Sequence, residues 1–261
     1  MTLKKRMLRE AIEAGMFLLP ALPGKVEKLS IPGIRGQNVA CSDPFLSIVG
    51  AARLTPHNAD ATIRQVHEFF ARQQKAYGWV TSLVSTPTDL EERLAKVGMV
   101  KAVEMAGMVL LNLQTPLLTN PDVTVRQATV DDLEQAISLL ASAVGFTPEG
   151  ACATTEALLL GTGTARVYLA YLKGMELPVG FASSILFPHQ PVVELDCAGT
   201  LEAYRGRGIY TSLVARRLED AYREGARAAV VQAVRTTSAP ICQKLGFVER
   251  LGMAWYIWEP E

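Results

Sequence analysis

Leu201-Glu202-Ala203-Tyr204-Arg205-Gly206-Arg207-Gly208-Ile209 sets two glycines and two arginines where an apolar strand gives way to a helix. Upstream, Val192 to Ala198 reads as a buried strand; downstream, Leu213, Val214, Arg217, Leu218 and Ala221 recur at helical spacing. Gly206 and Gly208 lack a Cβ and reach positive φ at little cost. Successive backbone N–H groups can therefore converge on an anion at the positive end of the helix. Arg205 and Arg207 add attraction for that anion. A phosphate cradle is the expectation, although an R-G-R-G string by itself is also common in solvated loops.

Composition bounds the surroundings of this turn. The chain has 261 residues, 49% hydrophobic and 20% charged, enough to bury a core in one large or two modest domains. Lys+Arg and Asp+Glu balance at 26 each, which argues against a nucleic-acid binder with a broad basic face and makes any anion site local. Cys41, Cys152, Cys197 and Cys242 are far apart and form no CxxC pair, so the pattern suggests neither a zinc knuckle nor a disulfide framework and fits a reducing cytoplasm. Glu10 and Glu13 interrupt the N-terminal apolar run, no export-type cleavage pattern follows, and no segment approaches bilayer length. A cytoplasmic protein with no membrane contact is expected. His57, His67 and His189 stand alone, so no metal site is expected.

Pro116 and Pro121 punctuate a polar stretch between periodic segments, dividing the chain into a domain at 1–115, a linker at 116–122 and a domain at 123–261. The first half reads as a helix over 4–17, a loop over 20–36, a strand over 45–54, a helix over 59–76, a strand over 79–84, a helix over 89–97 and a strand over 105–113. The second reads as a strand over 123–128, helices over 131–143 and 149–160, and strands over 166–172, 179–187 and 192–200. The glycine turn, a helix to 224, a strand over 228–234, a short helix over 239–245 and a strand over 254–258 follow. Both halves are mixed α/β. Residues 86–99 with 107–111 also parallel 238–247 with 252–256 in a helix, glycine stop, apolar residue and strand, a correspondence that favours duplication.

The second half resembles the GNAT superfamily of acyl-CoA-dependent N-acyltransferases. Its signature is Arg or Gln, two residues, Gly, one residue, then Gly or Ala, opening a helix after a central strand. Here Arg205, Gly208 and position 210 stand at those places, supported by the strand before them and by Lys244-Leu245-Gly246-Phe247 at the end of the short helix. The matches span roughly residues 123 to 258. The first half looks like a degenerate copy without an R-G-R-G turn. The resemblance implies an α/β (α+β) fold of two tandem GNAT-like domains, each a mixed, mostly antiparallel sheet flanked by helices.

It also implies an N-acetyltransferase that moves the acetyl group of acetyl-CoA to a primary amine, on a small molecule or a protein, by direct attack in a ternary complex. The diphosphate would sit on Arg205, Gly206, Arg207, Gly208, Ile209 and Tyr210, and the pantetheine arm along Ala198, Gly199 and Thr200, where Gly199 suits a close approach. A backbone N–H near Thr200 would stabilise the oxyanion. Glu194 and Asp196 share a strand face by period two, so either can serve as base directly or through water, or merely bond loop backbone. Tyr210 replaces the family's small residue, and Cys242 occupies the place of a tyrosine that protonates the departing thiolate. For Cys242 the competing reading is a small buried residue on an apolar helix face. A second class of function is a non-catalytic acyl-CoA-binding or sensing module whose degenerate half pairs two copies in a homodimer; a third is a nucleotide binder using the same turn.

Overall fold

Two strands at the centre of the protein, β5 (Val100–Leu110) and β12 (Val248–Trp258), run antiparallel side by side, and each belongs to a different half of the sequence. The computed structural model describes residues 5–260, and among these one continuous sheet of twelve strands forms around that pair. On one side lie β1 (Val26–Lys28), β2 (Arg35–Val39), β3 (Ile48–Gly50) and β4 (Tyr77–Ser82). On the other lie β11 (Ala228–Val234), β9 (Val192–Glu194), β8 (Gly180–Leu186), β7 (Ala165–Leu172) and β6 (Val123–Gln127). The order is β1-β2-β3-β4-β12-β5-β11-β9-β8-β7-β6, with β10 (Ala198–Thr200) attached to β8 alone. The last strand of each half is thus inserted into the sheet of the other: β12 separates β4 from β5, and β5 separates β12 from β11.

The exchange is symmetrical. Among the described pairings, the two parallel ones, β3 with β4 and β9 with β11, flank the central pair at equivalent distances. Gly107 and Gly252, the glycines aligned by the sequence repeat, lie next to each other's neighbours across β5 and β12, in the register Leu251↔Gly107 and Gly252↔Ala106. That is the arrangement a duplicated unit makes about a two-fold axis.

Side chains alternate through the sheet into two layers. Met105 and Val109 of β5, Met253 and Trp255 of β12, and Val192 and Val230 bury against Leu8, Ala11 and Ile12 of α1 (Lys5–Gly15). On that same face α4 (Leu133–Leu139) and α5 (Pro148–Leu160) cover Val167, Leu169 and Phe181. The opposite face carries α2 (Ala59–Ala71) and α3 (Leu90–Lys96) over Trp79 and Tyr256. It also carries α6 (Ile209–Arg223) and α7 (Ser238–Lys244) over Val193, Leu195 and Val231. Among the described residues no helix is long and apolar enough to cross a membrane.

The sequence expectation differs from the structure where pairing outweighs local pattern. The strand expected over 192–200 is broken into β9 and β10. The loop expected over 20–36 contains β1 and the start of β2, polar strands held by their neighbours. β12 is longer than the strand expected over 254–258, because Val248 and Glu249, a loop by composition, pair with Val109 and Met108. The helix expected over 131–143 begins as a 3-10 turn, continues as α4 and closes as a π turn over Leu140–Val144. The first expected helix ends at Gly15, and its expected start at Lys4 lies outside the described residues.

Because each half lends a central strand to the other, full-length protein is expected to unfold in one cooperative transition by calorimetry. Residues 1–115 and 123–261 produced separately are expected to show no cooperative transition by circular dichroism. Two independently melting halves would contradict the exchange.

Candidate active site

The break between β9 and β10 organises the site. Ser183 N–H donates to Cys197 O at 2.8 Å and Leu201 N–H to Val179 O at 3.0 Å, so β10 stays on β8. β9 instead also pairs with β11, from which β10 has diverged. By the alternation of an antiparallel ladder, the N–H and C=O groups of Ala198 and Thr200 point into the gap between β10 and β11. Arg205 Nε donates to Thr200 O at 3.3 Å from that side. Gly199 turns its backbone toward β8, and a Cβ there would stand 2.5 Å from Ala143 O; the close approach it permits is that of the helix end at Ala143 and Val144.

Arg217 fills the break from below. Its side chain is 1% exposed on the apolar face of α6. It donates to Leu213 O at 3.2 Å, Ser183 O at 2.9 Å and Asp196 O at 3.4 Å. Ser183 lies on β8 and Asp196 in the break itself, so the guanidinium ties the break to β8. No carboxylate lies within ion-pair distance of it among the described residues. Burial lowers its proton affinity while Tyr210, Tyr168, Cys242 and Asp196 raise it.

The glycine turn sits at the mouth of the gap. Gly206 and Gly208 have φ of 77° and 75°, the left-handed conformation that leaves their amides convergent. Gly208 caps α6 without any side-chain acceptor, so the first amides of the helix are open to an anion. Asn120, in the expected linker, donates to Arg207 O at 2.8 Å and braces the turn. Arg205 and Arg207 are exposed, with Arg207 over the Tyr204 ring. Ile209 buries its side chain and offers only its amide.

At the other end of the gap a cavity of about 540 Å³ opens, within the range of small-molecule sites. Asp196, Cys197, Ala198 and Tyr210 line the end next to β10, and Phe45, Met105 and Trp255 line the far side. The Asp196 carboxylate accepts from Ser183 Oγ at 3.0 Å and lies 3.6 Å from Cys197 Sγ. Glu194 is fully buried behind Gly15 and Gln232, whose atoms line the cavity: a Cβ on Gly15 would strike its Oε2, and Gln232 Nε2 donates to it at 3.4 Å. Burial, reinforced by Asp196, raises its pKa well above the ordinary glutamate value. Period two places both carboxylates on one strand face, and the break puts only Asp196 at the cavity.

Tyr210 Oη stands 3.9 Å from Cys242 Sγ. Burial pushes the Tyr210 phenol up to about 12 and raises the Cys242 thiol as well. The phenol thus reaches from the first turn of α6 to the place beside Cys242. A second, larger groove of about 700 Å³ lies on the outer side of α6 against residues 113–119, away from these groups.

The Acetyltransferase (GNAT) family matches residues 134–247. That match lies within the second half of the sequence and spans less than half of the chain. The whole chain shares its fold with a GCN5-related N-acetyltransferase from Kribbella flavida, at 18% identity over 97% of this chain and 95% of that one, TM-score 0.70. It also shares it with a tandem GNAT protein from the clavulanic acid biosynthesis pathway, at 12% identity over 96% and 88%, TM-score 0.64. A third is a GCN5-related N-acetyltransferase from Sphaerobacter thermophilus, at 14% over 89% and 82%, TM-score 0.64. At these identities the likeness is one of fold. No curated protein matches the chain in sequence.

Within the matched stretch, Ala198, Thr200, Asp196, Tyr210 and the turn converge on one gap, while Glu194 and Cys242 stand one layer behind it. Arg217 was legible as a charge among Leu213, Val214, Leu218 and Ala221 on an apolar face, but its partners are carbonyls of strands distant in sequence. Replacing Arg217 with Ala leaves Ser183 O and Asp196 O unpaired and is expected to cost about 3 kcal/mol in urea unfolding. Glu194 gives a pH test. Its folded pKa is raised, so the folded state binds the proton more tightly, and stability falls as pH rises from about 4.3, the unfolded value, toward the folded one. Glu194→Gln should lose that slope, narrowing any stability deficit, or widening its advantage, as pH rises.

Proposed function

We propose that the protein transfers the acetyl group of acetyl-CoA to a primary amine in a ternary complex, as a cytoplasmic enzyme. In this reading 1–115 is a degenerate copy and 123–261 the working copy of one fold, joined by the linker at 116–122. The observation that carries the proposal is the gap itself: an open amide turn at its mouth, outward backbone groups of Ala198 and Thr200 along it, and Asp196 at the cavity end. These are the donors that a diphosphate and an amide-bearing arm require, and two exposed arginines add the matching charge. The four cysteines are free thiols, in keeping with a reducing compartment.

Acetyl-CoA, when bound, supplies an acetyl group on a good leaving group. Gly206 to Tyr210 hold the diphosphate through backbone N–H groups, with Arg205 and Arg207 beside it. Ala198 and Thr200 bond the arm as a strand would, and a backbone N–H at Thr200 faces the developing negative oxygen. Asp196 takes one proton from the acceptor ammonium, the amine nitrogen forms its bond to the acetyl carbon, the carbon–sulfur bond breaks, and the second proton lost from the nitrogen passes to the departing sulfur, which leaves as a thiol. Tyr210 donates a hydrogen bond to the departing sulfur. Its proton affinity is too high for it to give the proton up to a thiolate of ordinary pKa, about 8.5. Glu194 keeps Gln232 in place, and Cys242 packs beneath the phenol.

Acetyl-CoA is expected to raise the melting temperature where ATP and NAD do not. Arg205→Ala should weaken acetyl-CoA about tenfold, the loss of one charge-assisted bond. Asp196→Asn should lower turnover in a thiol-release assay by about a hundredfold with acetyl-CoA affinity unchanged. Tyr210→Phe should lower kcat more than Cys242→Ser does. Tight acetyl-CoA binding without turnover on any amine would instead indicate an acyl-CoA-sensing protein.

A further inference from the structure

The walls of the cavity carry an unused set of instructions about the acceptor. Two carboxylates, Asp43 and Asp196, line it, and no lysine, arginine or histidine does. Asp43 comes from the first half of the chain, between β2 and β3, and is 8% exposed. Its Oδ1 accepts the Phe45 N–H of its own turn at 2.8 Å, and no cation lies within ion-pair distance of it among the described residues. The nearby Lys75 ammonium is taken by Asn38 Oδ1 and Val39 O. A desolvated carboxylate without a counter-ion is costly, and burial accordingly raises the Asp43 pKa; a ligand cation offsets that cost.

The rest of the wall is aromatic and apolar. Phe45 and Trp255 pack against each other with ring centroids 5.2 Å apart and planes tilted by 54°, Phe45 remaining 41% exposed. Trp255 is fixed by its Nε1–H donating to Pro44 O at 3.1 Å. Phe146 approaches from the segment between α4 and α5. Thr154 of α5 also lines the cavity, 2% exposed, and its hydroxyl has no hydrogen-bond partner.

We propose that the acceptor is a hydrophobic primary amine carrying no carboxylate, its aromatic or branched body lying against Phe45, Phe146 and Trp255, and that Asp43 is a specificity-determining carboxylate rejecting anionic amines. The inference rests on the acetyltransfer reading above. The acceptor nitrogen reaches Asp196 at the β10 end, and the body fills the space that the first half of the chain encloses. An α-amino acid with the same side chain would bring its own carboxylate into a cavity lined by two carboxylates and, among the described residues, by no lysine, arginine or histidine, a like-charge contact that costs heavily once desolvated. A long polycation such as spermidine brings three ammonium groups to a cavity with two carboxylates, so at least one is desolvated without a carboxylate partner.

The test uses full-length protein with 2-phenylethylamine and tryptamine set against phenylalanine and tryptophan, with spermidine as a third class. Binding is measured by calorimetry and turnover by thiol release from acetyl-CoA. The arylalkylamines are expected to exceed the matched amino acids by about a hundredfold in kcat/KM. Asp43→Asn should narrow that ratio about tenfold, and Phe45→Ala should raise the amine KM about fivefold with acetyl-CoA affinity unchanged. Equal use of amines and amino acids, or preference for spermidine, overturns the inference, as does acetyl-CoA binding without binding or turnover of either arylalkylamine; the cofactor reading survives those results. If acetyl-CoA itself fails to bind, the acetyltransfer reading falls, and calorimetry of amine against amino acid still decides the acceptor class.

Discussion

A guanidinium with no carboxylate partner among the described residues ties β8 to the break between β9 and β10. Arg217 lies among apolar side chains on α6 and spends its hydrogen bonds on Ser183 O and Asp196 O, carbonyls that a continuous β9–β10 strand would otherwise share with its neighbours. Close the break, and β10 would follow β9 along β11; the outward groups of Ala198 and Thr200 would be consumed in the ladder, leaving nothing to bind. With the break held open, the turn at Gly206 and Gly208, the edge of β10 and the cavity beyond Asp196 fall into one line. A buried charge is weak support for stability in itself. Its value here lies in fixing where the sheet divides.

The second constraint is the exchange of β5 and β12. It makes one sheet of two halves, and it carries the first half across the face of the second. Helix α1 spans the strands of both, its Ile12 packing onto Gly107, where a larger residue in β5 would collide. Gly15, at the end of that helix, abuts Glu194. The first half, which has no such turn, therefore still builds the site: Asp43, Phe45 and Met105 stand in the cavity because the strands are exchanged. It supplies a wall of the cavity rather than a separate unit.

Much of this was legible along the chain. Gly206, Gly208 and Arg205 announce the turn because local geometry demands glycine and the charge is adjacent; the helix after them follows from period. The repeat between residues 86–111 and 238–256 was visible because the helix-glycine-strand order survives. What the chain concealed was every contact made through pairing. The break between Glu194 and Ala198 leaves no mark in a run of apolar and acidic residues, and the lengths of β5 and β12 are set by each other rather than by their own composition. Tyr210 read as a departure beside the diphosphate. Its hydroxyl instead reaches Cys242, which only the packing of α6 on α7 makes possible. Asp43 and Thr154 carried no signal, since a lone aspartate in a turn and a threonine in a helix are ordinary until a cavity is placed beside them.

The central claim is that the gap between β10 and β11 is where acetyl-CoA lies, and a crystal structure of the protein with acetyl-CoA tests it most directly. The account predicts the diphosphate within hydrogen-bond distance of the Gly206 to Tyr210 amides, the arm bonded to Ala198 and Thr200, and the acetyl group at the Asp196 end of the cavity. Acetyl-CoA found instead in the groove between residues 113–119 and the outer face of α6, with β10 and β11 unoccupied between them, would contradict it.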